Sequence, residues 1–407
     1  MEFRNLTPAM ADAWARYQQG LDEVRALYYN HPYAEYPPDR QLADYHILQI
    51  QAAAFNLVIA PRPDYPRFTL HGMFDPISYT WLGPNPDTPY RGAFVDGRRA
   101  YRIWGKRKNS RLCLIQSVNC YFTLPPAEMR QNGMYNFDDF QVAPDGSFEI
   151  IVSATPHDGN WIKTDPAQER NFLLVRDYIA DWDKDDMVEL HIEAIDDVPA
   201  RPLDHSEAGL IRRLEDAVRF MKFCVGFYQY KVTEDALRDA GGELNTFGMQ
   251  QSASAPSTAA GNSSVTFCLA VFDLEPDEAL IVEYTPPDCT YWQVNLCDRW
   301  SSQISDYLYH QSSLNMTQAA LDTDGTFRAV LSVEDPGVAN WLDPVGNLKG
   351  YLVNRWMPHR TTVPAARKVK LSELFDHLPP DTPRVTPQMR AERMRERARA
   401  GLRRYGY

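Results

Sequence analysis

Asp145-Gly146-Ser147-Phe148, Asn160-Trp161 and Arg176-Asp177-Tyr178 recur downstream as Asp324-Gly325-Thr326-Phe327, Asn340-Trp341 and Arg355-Trp356. The second copy of each motif lies 179, 180 and 179 residues after the first. Their surroundings agree: Asp165-Pro166 follows one Asn-Trp pair and Asp343-Pro344 the other. Upstream, the run Leu112 to Gln116 is similar to Tyr291 to Leu296. One such match is chance, whereas three in register indicate a duplicated unit. Asp-Gly marks a tight turn, and the aromatic and β-branched runs around it mark strands. The repeat therefore predicts a mainly β (α+β) chain with two tandem antiparallel β-sandwich domains of jelly-roll type.

Working outward, residues 1–62 read as N-terminal helices, with apolar residues at helical spacing over 8–30 and 40–60. Residues 63–200 form the first β domain, 201–245 a helical linker and 246–378 the second β domain. Ser206 is placed to cap the linker helix and Gly241-Gly242 to end it. Residues 252–264 (SASAPSTAAGNSS) are small and polar, a surface loop or a flap over a site. Residues 379–407 close the chain. From Arg384 onward this tail carries eight Arg and two Glu at helical spacing. It reads as a solvated helix against an acidic body, or as the contact of a homo-oligomer.

Thirty Pro, 22 Tyr, 18 Phe and 9 Trp in 407 residues argue against an all-helical chain. A net charge of −12 argues against non-specific nucleic-acid binding, which needs a positive surface. The N-terminus MEFRNLTPAM lacks the pattern of a signal peptide, and no apolar run approaches a membrane span. Cys113, Cys120, Cys224, Cys268, Cys289 and Cys297 show no CxxC spacing and sit in apolar contexts. They are expected to be reduced thiols of a cytoplasmic protein without a membrane partner.

Gly83-Pro84-Asn85-Pro86-Asp87-Thr88-Pro89-Tyr90, followed by Phe94-Val95-Asp96, resembles the Asn-x-Asp-Thr-x-Tyr signature of a bacterial family. That family pairs the domains of unknown function 1254 and 1214. Tyr291-Trp292, the Asp-Gly-Thr-Phe turn, Asn340-Trp341-Leu342, Arg355-Trp356 and the tail from Val385-Thr386-Pro387 are similar to its C-terminal domain. The resemblance puts domain 1254 on residues 63–200 and domain 1214 on 246–378, and implies a β-rich two-domain fold. It implies no reaction. Pro89 stands where the family usually has an aliphatic residue, and the helical insert at 205–240 belongs to a subgroup at most.

Pro84, Pro86 and Pro89 pre-organise the segment between them. Asn85 with Asp87, and Thr88 with Tyr90, would each project to one side of an extended chain. These residues either cap turns and pack, or face a ligand. His71 is a candidate general base, and otherwise a satisfied, partly buried histidine. Asn160-Trp161 and Asn340-Trp341 read as anchors of the two units, one copy being a candidate for binding. Arg176 and Arg355 read as strand residues paired to a carboxylate. His191-x-Glu193, with His310 or His359, would suit a non-haem iron site, but such a pair more commonly faces solvent, so no metal site is expected. No nucleophile elbow or phosphate loop occurs in the sequence.

The expectation is a cofactor-free enzyme that acts on a small apolar or polyhydroxylated molecule between the two β domains. Asp87 or His71 would move the proton, with Tyr90 orienting. Asn85, Thr88, Trp81, Asn340 and Trp341 would bind the ligand. The alternatives are a non-catalytic carbohydrate- or lipid-binding protein, with Trp81, Trp104, Trp161 and Trp300 as stacking surfaces, and an iron oxygenase.

Overall fold

The computed structural model describes residues 5–70, 83, 85–249, 265–300, 307–357 and 362–406. His71, Trp81, Pro84, His359 and the 252–264 loop lie outside them.

The repeated Asp-Gly turns show why the chain folds locally as it does. Gly146 (φ +82°) and Gly325 (φ +79°) occupy the left-handed region, which costs a glycine nothing. Their N–H groups donate to Ala143 O (2.8 Å) and Asp322 O (2.9 Å), closing both turns. Asp145 and Asp324 each accept from the backbone N–H two residues on, at 3.0 and 2.8 Å. Each turn then releases an alternating strand into a sheet.

Among the described residues nine strands form the first unit: β1 Thr69–Leu70, β2 Tyr90–Val95, β3 Tyr101–Lys106, β4 Leu112–Val118 and β5 Gln131–Asn136. They continue as β6 Ser147–Ser153, β7 Trp161–Lys163, β8 Asn171–Tyr178 and β9 Glu189–Ala194. The second unit holds β10 Gly248–Met249, β11 Thr266–Asp273, β12 Glu278–Tyr284, β13 Tyr291–Cys297 and β14 Ser313–Asn315. It ends with β15 Phe327–Leu331, β16 Trp341–Leu342, β17 Lys349–Met357 and β18 Ala365–Lys370. The first unit orders its strands β1-β2-β8-β4-β5 and β7-β6-β3-β9. The second has β10-β11-β17-β13-β14 and β16-β15-β12-β18, the same order shifted by nine. Pairing is antiparallel except for β6 with β7 and β15 with β16. The chain is thus mainly β, with four antiparallel or mixed sheets and a few helices.

Within each unit the two sheets share one apolar core. Val95, Ile103, Ile115, Ile150 and Val175 meet in the first, and Ala270, Val282, Val294, Ala329 and Leu352 in the second. The five-stranded sheets also bury their outer faces. Leu112, Leu114 and Tyr178 pack there against Tyr291 and Met357, with the Tyr178 and Tyr291 rings 5.0 Å apart. Phe172 and Leu174, further along the first outer face, pack under helices α1 Pro8–Tyr29, α2 Pro37–Ala54 and α3 Glu207–Phe223. Two π-helical turns extend this layer, Phe55–Ile59 after α2 and Cys224–Gln229 after α3. The second turn divides the single helix expected over 205–240 into α3 and α4 Tyr230–Asp239.

Helix α5, Pro387–Arg403, docks through arginines as well as through Ala400 and Gly401 at its C-terminal end. Arg390, Arg397 and Arg404 recur every seven residues and all are buried. Arg390 stacks on Trp341 (5.3 Å); Arg397 (4.4 Å) and Arg404 (3.7 Å) both stack on Trp182. Arg390 and Arg397 bond the second unit at Asp335 and Tyr307 O, while Arg404 bonds the first at Pro86 O. The tail is therefore a clasp across both units. Arg393, Arg395 and Arg399 remain exposed.

Candidate functional site

Asn85 builds the turn that the prolines flank. Its Oδ1 accepts from Asp87 N–H (3.0 Å) and its carbonyl from Thr88 N–H (3.0 Å). This Asx turn directs Asp87 into the junction between the two five-stranded sheets. Three donors from three other parts of the chain meet it there. Tyr291 donates its hydroxyl to Oδ2 (2.5 Å), while Trp182 Nε1–H (2.8 Å) and Asn315 Nδ2–H (2.9 Å) donate to Oδ1. Asn85 Nδ2–H in turn donates to the Tyr291 hydroxyl (2.9 Å). Asp87 is 2% exposed, and burial holds its carboxyl above the ordinary carboxylate range despite these donors and the nearby Arg404. Burial and the adjacent carboxylate push the Tyr291 phenol well above its usual value, so it remains a donor.

The other predicted residues divide. Thr88 is buried beside Asp87, and its Oγ1 has no hydrogen-bond partner among the described residues. Tyr90 accepts Asn85 N–H at its hydroxyl (3.1 Å), which completes the cluster. Asn340 is used elsewhere: its Nδ2 donates to Ala320 O (2.6 Å) and Arg328 O (2.8 Å), and its Oδ1 accepts from Ala320 N–H (2.9 Å). Asn160 makes the same three bonds to Gln141 and Glu149 in the first unit. Trp341 donates to Ser332 O (2.8 Å) and Trp161 to Ser153 O (3.2 Å). Both Asn-Trp pairs thus tie loops to strands.

Arg176 donates to Gln116 and Arg355 to Asn295, amides at repeat-equivalent positions, and Arg355 also donates to Gly83 O (2.8 Å). His191 contacts Glu189 (3.2 Å) and stacks on Trp104, while Glu193 pairs with Arg102. His310 pairs with Asp343 (2.7 Å). Among the described residues no group of three His, Cys, Asp or Glu side chains is placed to hold a metal ion. Trp300 is fully buried under the N-terminal helices and donates to Asp39 O.

A second locus was not indicated by the sequence. A cleft of about 450 Å³ opens between the end of the N-terminal helices and the outer face of the first five-stranded sheet. Its floor is Phe94 and Phe172, with ring centroids 4.6 Å apart, beside Gly92 and Leu57. Its rim carries Arg62, Tyr65, Arg67 and Thr69. The π-helical turn at Phe55–Ile59, closed by Ala60 N–H to Phe55 O (2.9 Å), supplies one wall. These residues come from three distant segments, so no local motif marks the cleft. The Asp87 junction did carry a signal in its partner. Where the first repeat has Leu112, the second has Tyr291, a polar departure at an otherwise equivalent buried position.

Fold and site together define a duplicated β protein with a buried inter-unit carboxylate and a separate aromatic-floored cleft. The family described as "Protein of unknown function (DUF1214)" matches residues 87–181, beginning at Asp87 and ending past β8. This segment lies in the first unit, whereas the resemblance read from the motifs puts domain 1214 on the second. Over 88% of the chain and 97% of its own length, an uncharacterized protein from Burkholderia cenocepacia of known crystal structure is similar, at 27% identity and a TM-score of 0.78. A crystal structure from Vibrio parahaemolyticus shares 11% identity and covers 86% of this chain and 100% of its own, at a TM-score of 0.46. No curated protein matches. Among the described residues no helix is long and apolar enough to cross a membrane.

Proposed function

We propose that the protein binds a small organic molecule in the cleft between the N-terminal helices and the first five-stranded sheet. The observation that carries this reading is the aromatic floor of Phe94 and Phe172 in a concavity of about 450 Å³, rimmed by polar groups. Ligand sites are commonly apolar cavities of this size with a few placed polar side chains. In this reading the Asn85–Asp87–Thr88–Tyr90 cluster holds the two units in register. Each unit is a sandwich of jelly-roll type, and the likeness to domain 1254 accompanies that to domain 1214. The protein works in the cytoplasm, a reading supported by six cysteines that form no disulfide.

A thermal-shift screen of small organic acids, alcohols and sugars tests the reading on wild type and Thr69→Trp, where the exposed rim residue is replaced by one that fills the cleft. At least one compound is expected to raise the wild-type Tm and leave the variant unmoved. Equal stabilisation of both proteins, or of neither by any compound, overturns the cleft as the site.

Acid/base catalysis at the junction is the second reading, favoured by the 2.5 Å bond between Tyr291 and the buried Asp87. It predicts that a ligand found in the screen is chemically altered by wild type and returned unchanged by Asp87→Asn. Recovery of every screened compound intact from wild type removes this reading.

A further inference from the structure

Resting on the cleft reading, we infer that its ligand is an organic carboxylate with an aromatic body. The chain holds 54 acidic and 42 basic side chains, yet the described residues lining the cleft include two arginines and no Asp or Glu. Arg67 is exposed and makes no hydrogen bond or ion pair among the described residues. Arg62 lies over the Tyr65 ring (4.3 Å), and among the described residues its guanidinium makes only one hydrogen bond, a long one to Arg201 O (3.4 Å). Both guanidiniums therefore retain donors for an anion at the rim. Arginine presents paired N–H groups that match the two oxygens of a carboxylate.

Beneath them the cleft turns apolar. Gly92 leaves space for the Phe172 ring, because a Cβ there would lie 2.3 Å from Phe172 Cζ. Phe172 is thereby held against Phe94 with the two rings tilted by 46°. A third guanidinium, Arg170, sits over Phe94 (5.5 Å) and bonds Val58 O behind the floor, where Asp216 is close enough to interact with its charge. A flat aromatic body suits the paired rings, and a carboxylate at one end of it reaches the rim arginines.

Isothermal titration of the full chain with 2-naphthoate and with its neutral counterpart 2-naphthalenemethanol tests this. Wild type is expected to bind the acid at least ten-fold more tightly than the alcohol. Arg67→Glu and Arg62→Gln, both rim substitutions, should weaken the acid at least ten-fold and leave the alcohol unchanged. Phe94→Ala should weaken both probes. Equal binding of acid and alcohol, unmoved by the arginine variants but lost in Thr69→Trp, overturns the carboxylate assignment while the cleft stands. Binding of both probes that survives Thr69→Trp and Phe94→Ala overturns the cleft with it. Binding of neither probe to wild type overturns the aromatic-carboxylate class, and the broader screen then decides the cleft.

Discussion

Tyr291, on the second unit, donates its hydroxyl to Asp87, on the first, at 2.5 Å across a junction in which both side chains are buried. The bond joins residues 204 apart in sequence. Tyr291→Phe keeps the ring packed on Tyr178 but withdraws one of three donors from a buried carboxylate. A loss of about 1–3 kcal/mol in unfolding free energy is expected, read by urea titration. No loss would mean that Trp182 and Asn315 suffice.

Burial makes Asp87 hold its proton more tightly in the folded chain than in the unfolded one, where the value is 3.8. The stability tied to this group is then fully present below that value and falls as pH rises through the raised folded value. Asp87→Asn removes the titration. Unfolding free energies of variant and wild type, measured at intervals from about pH 4 to about pH 7, should shift in the variant's favour by at most about 1.4 kcal/mol per pH unit. A constant difference would show that Asp87 titrates alike in both states.

Arg397 donates to Tyr307 O (2.7 Å) and Ser313 Oγ (2.6 Å) while stacked on Trp182, and burial lowers its pKa to about 10. Arg397→Met should cost about 3 kcal/mol, because buried acceptors lose their donor and Asp87 loses a nearby cation. The exposed Arg393→Met should stay within about 0.5 kcal/mol of wild type. Equal effects in denaturant unfolding would contradict the clasp.

Gly92→Ala places a Cβ against Phe172 and should destabilise by about 1–3 kcal/mol through overpacking. Phe172→Leu alone leaves a gap in the floor. The double variant should be more stable than the sum of the two single effects, a coupling that a double-mutant cycle measures. Strict additivity would mean that the two positions do not share the space.

Asn340→Ala removes three bonds to backbone groups and should cost about 1–3 kcal/mol. Titration with any ligand of the cleft should give an unchanged Kd. A ten-fold weaker Kd would return Asn340 to the binding residues named from the sequence.

Local chemistry wrote much of the fold into the sequence. Asp145-Gly146 and Asp324-Gly325 can hardly form anything but turns, and the alternating runs beside them bury one face, so two copies spaced 179 residues apart specify the same strand order twice. The prolines around Asn85 and Asp87 likewise specified a turn that projects side chains. What those side chains meet was settled only by tertiary structure. Asp87 gains its donors from Trp182, Tyr291 and Asn315, residues that no spacing relates to it. The arginine face of α5 leaves no apolar periodicity in the sequence, because guanidiniums that stack on Trp182 and bond carbonyl oxygens can be buried without being hydrophobic. The cleft joins residues 56–69, 92–94 and 172, which chain proximity never brings together. Turns and strands follow from neighbours a few residues away, whereas burial, pKa and cavity shape follow from groups that meet only once the sheets have packed.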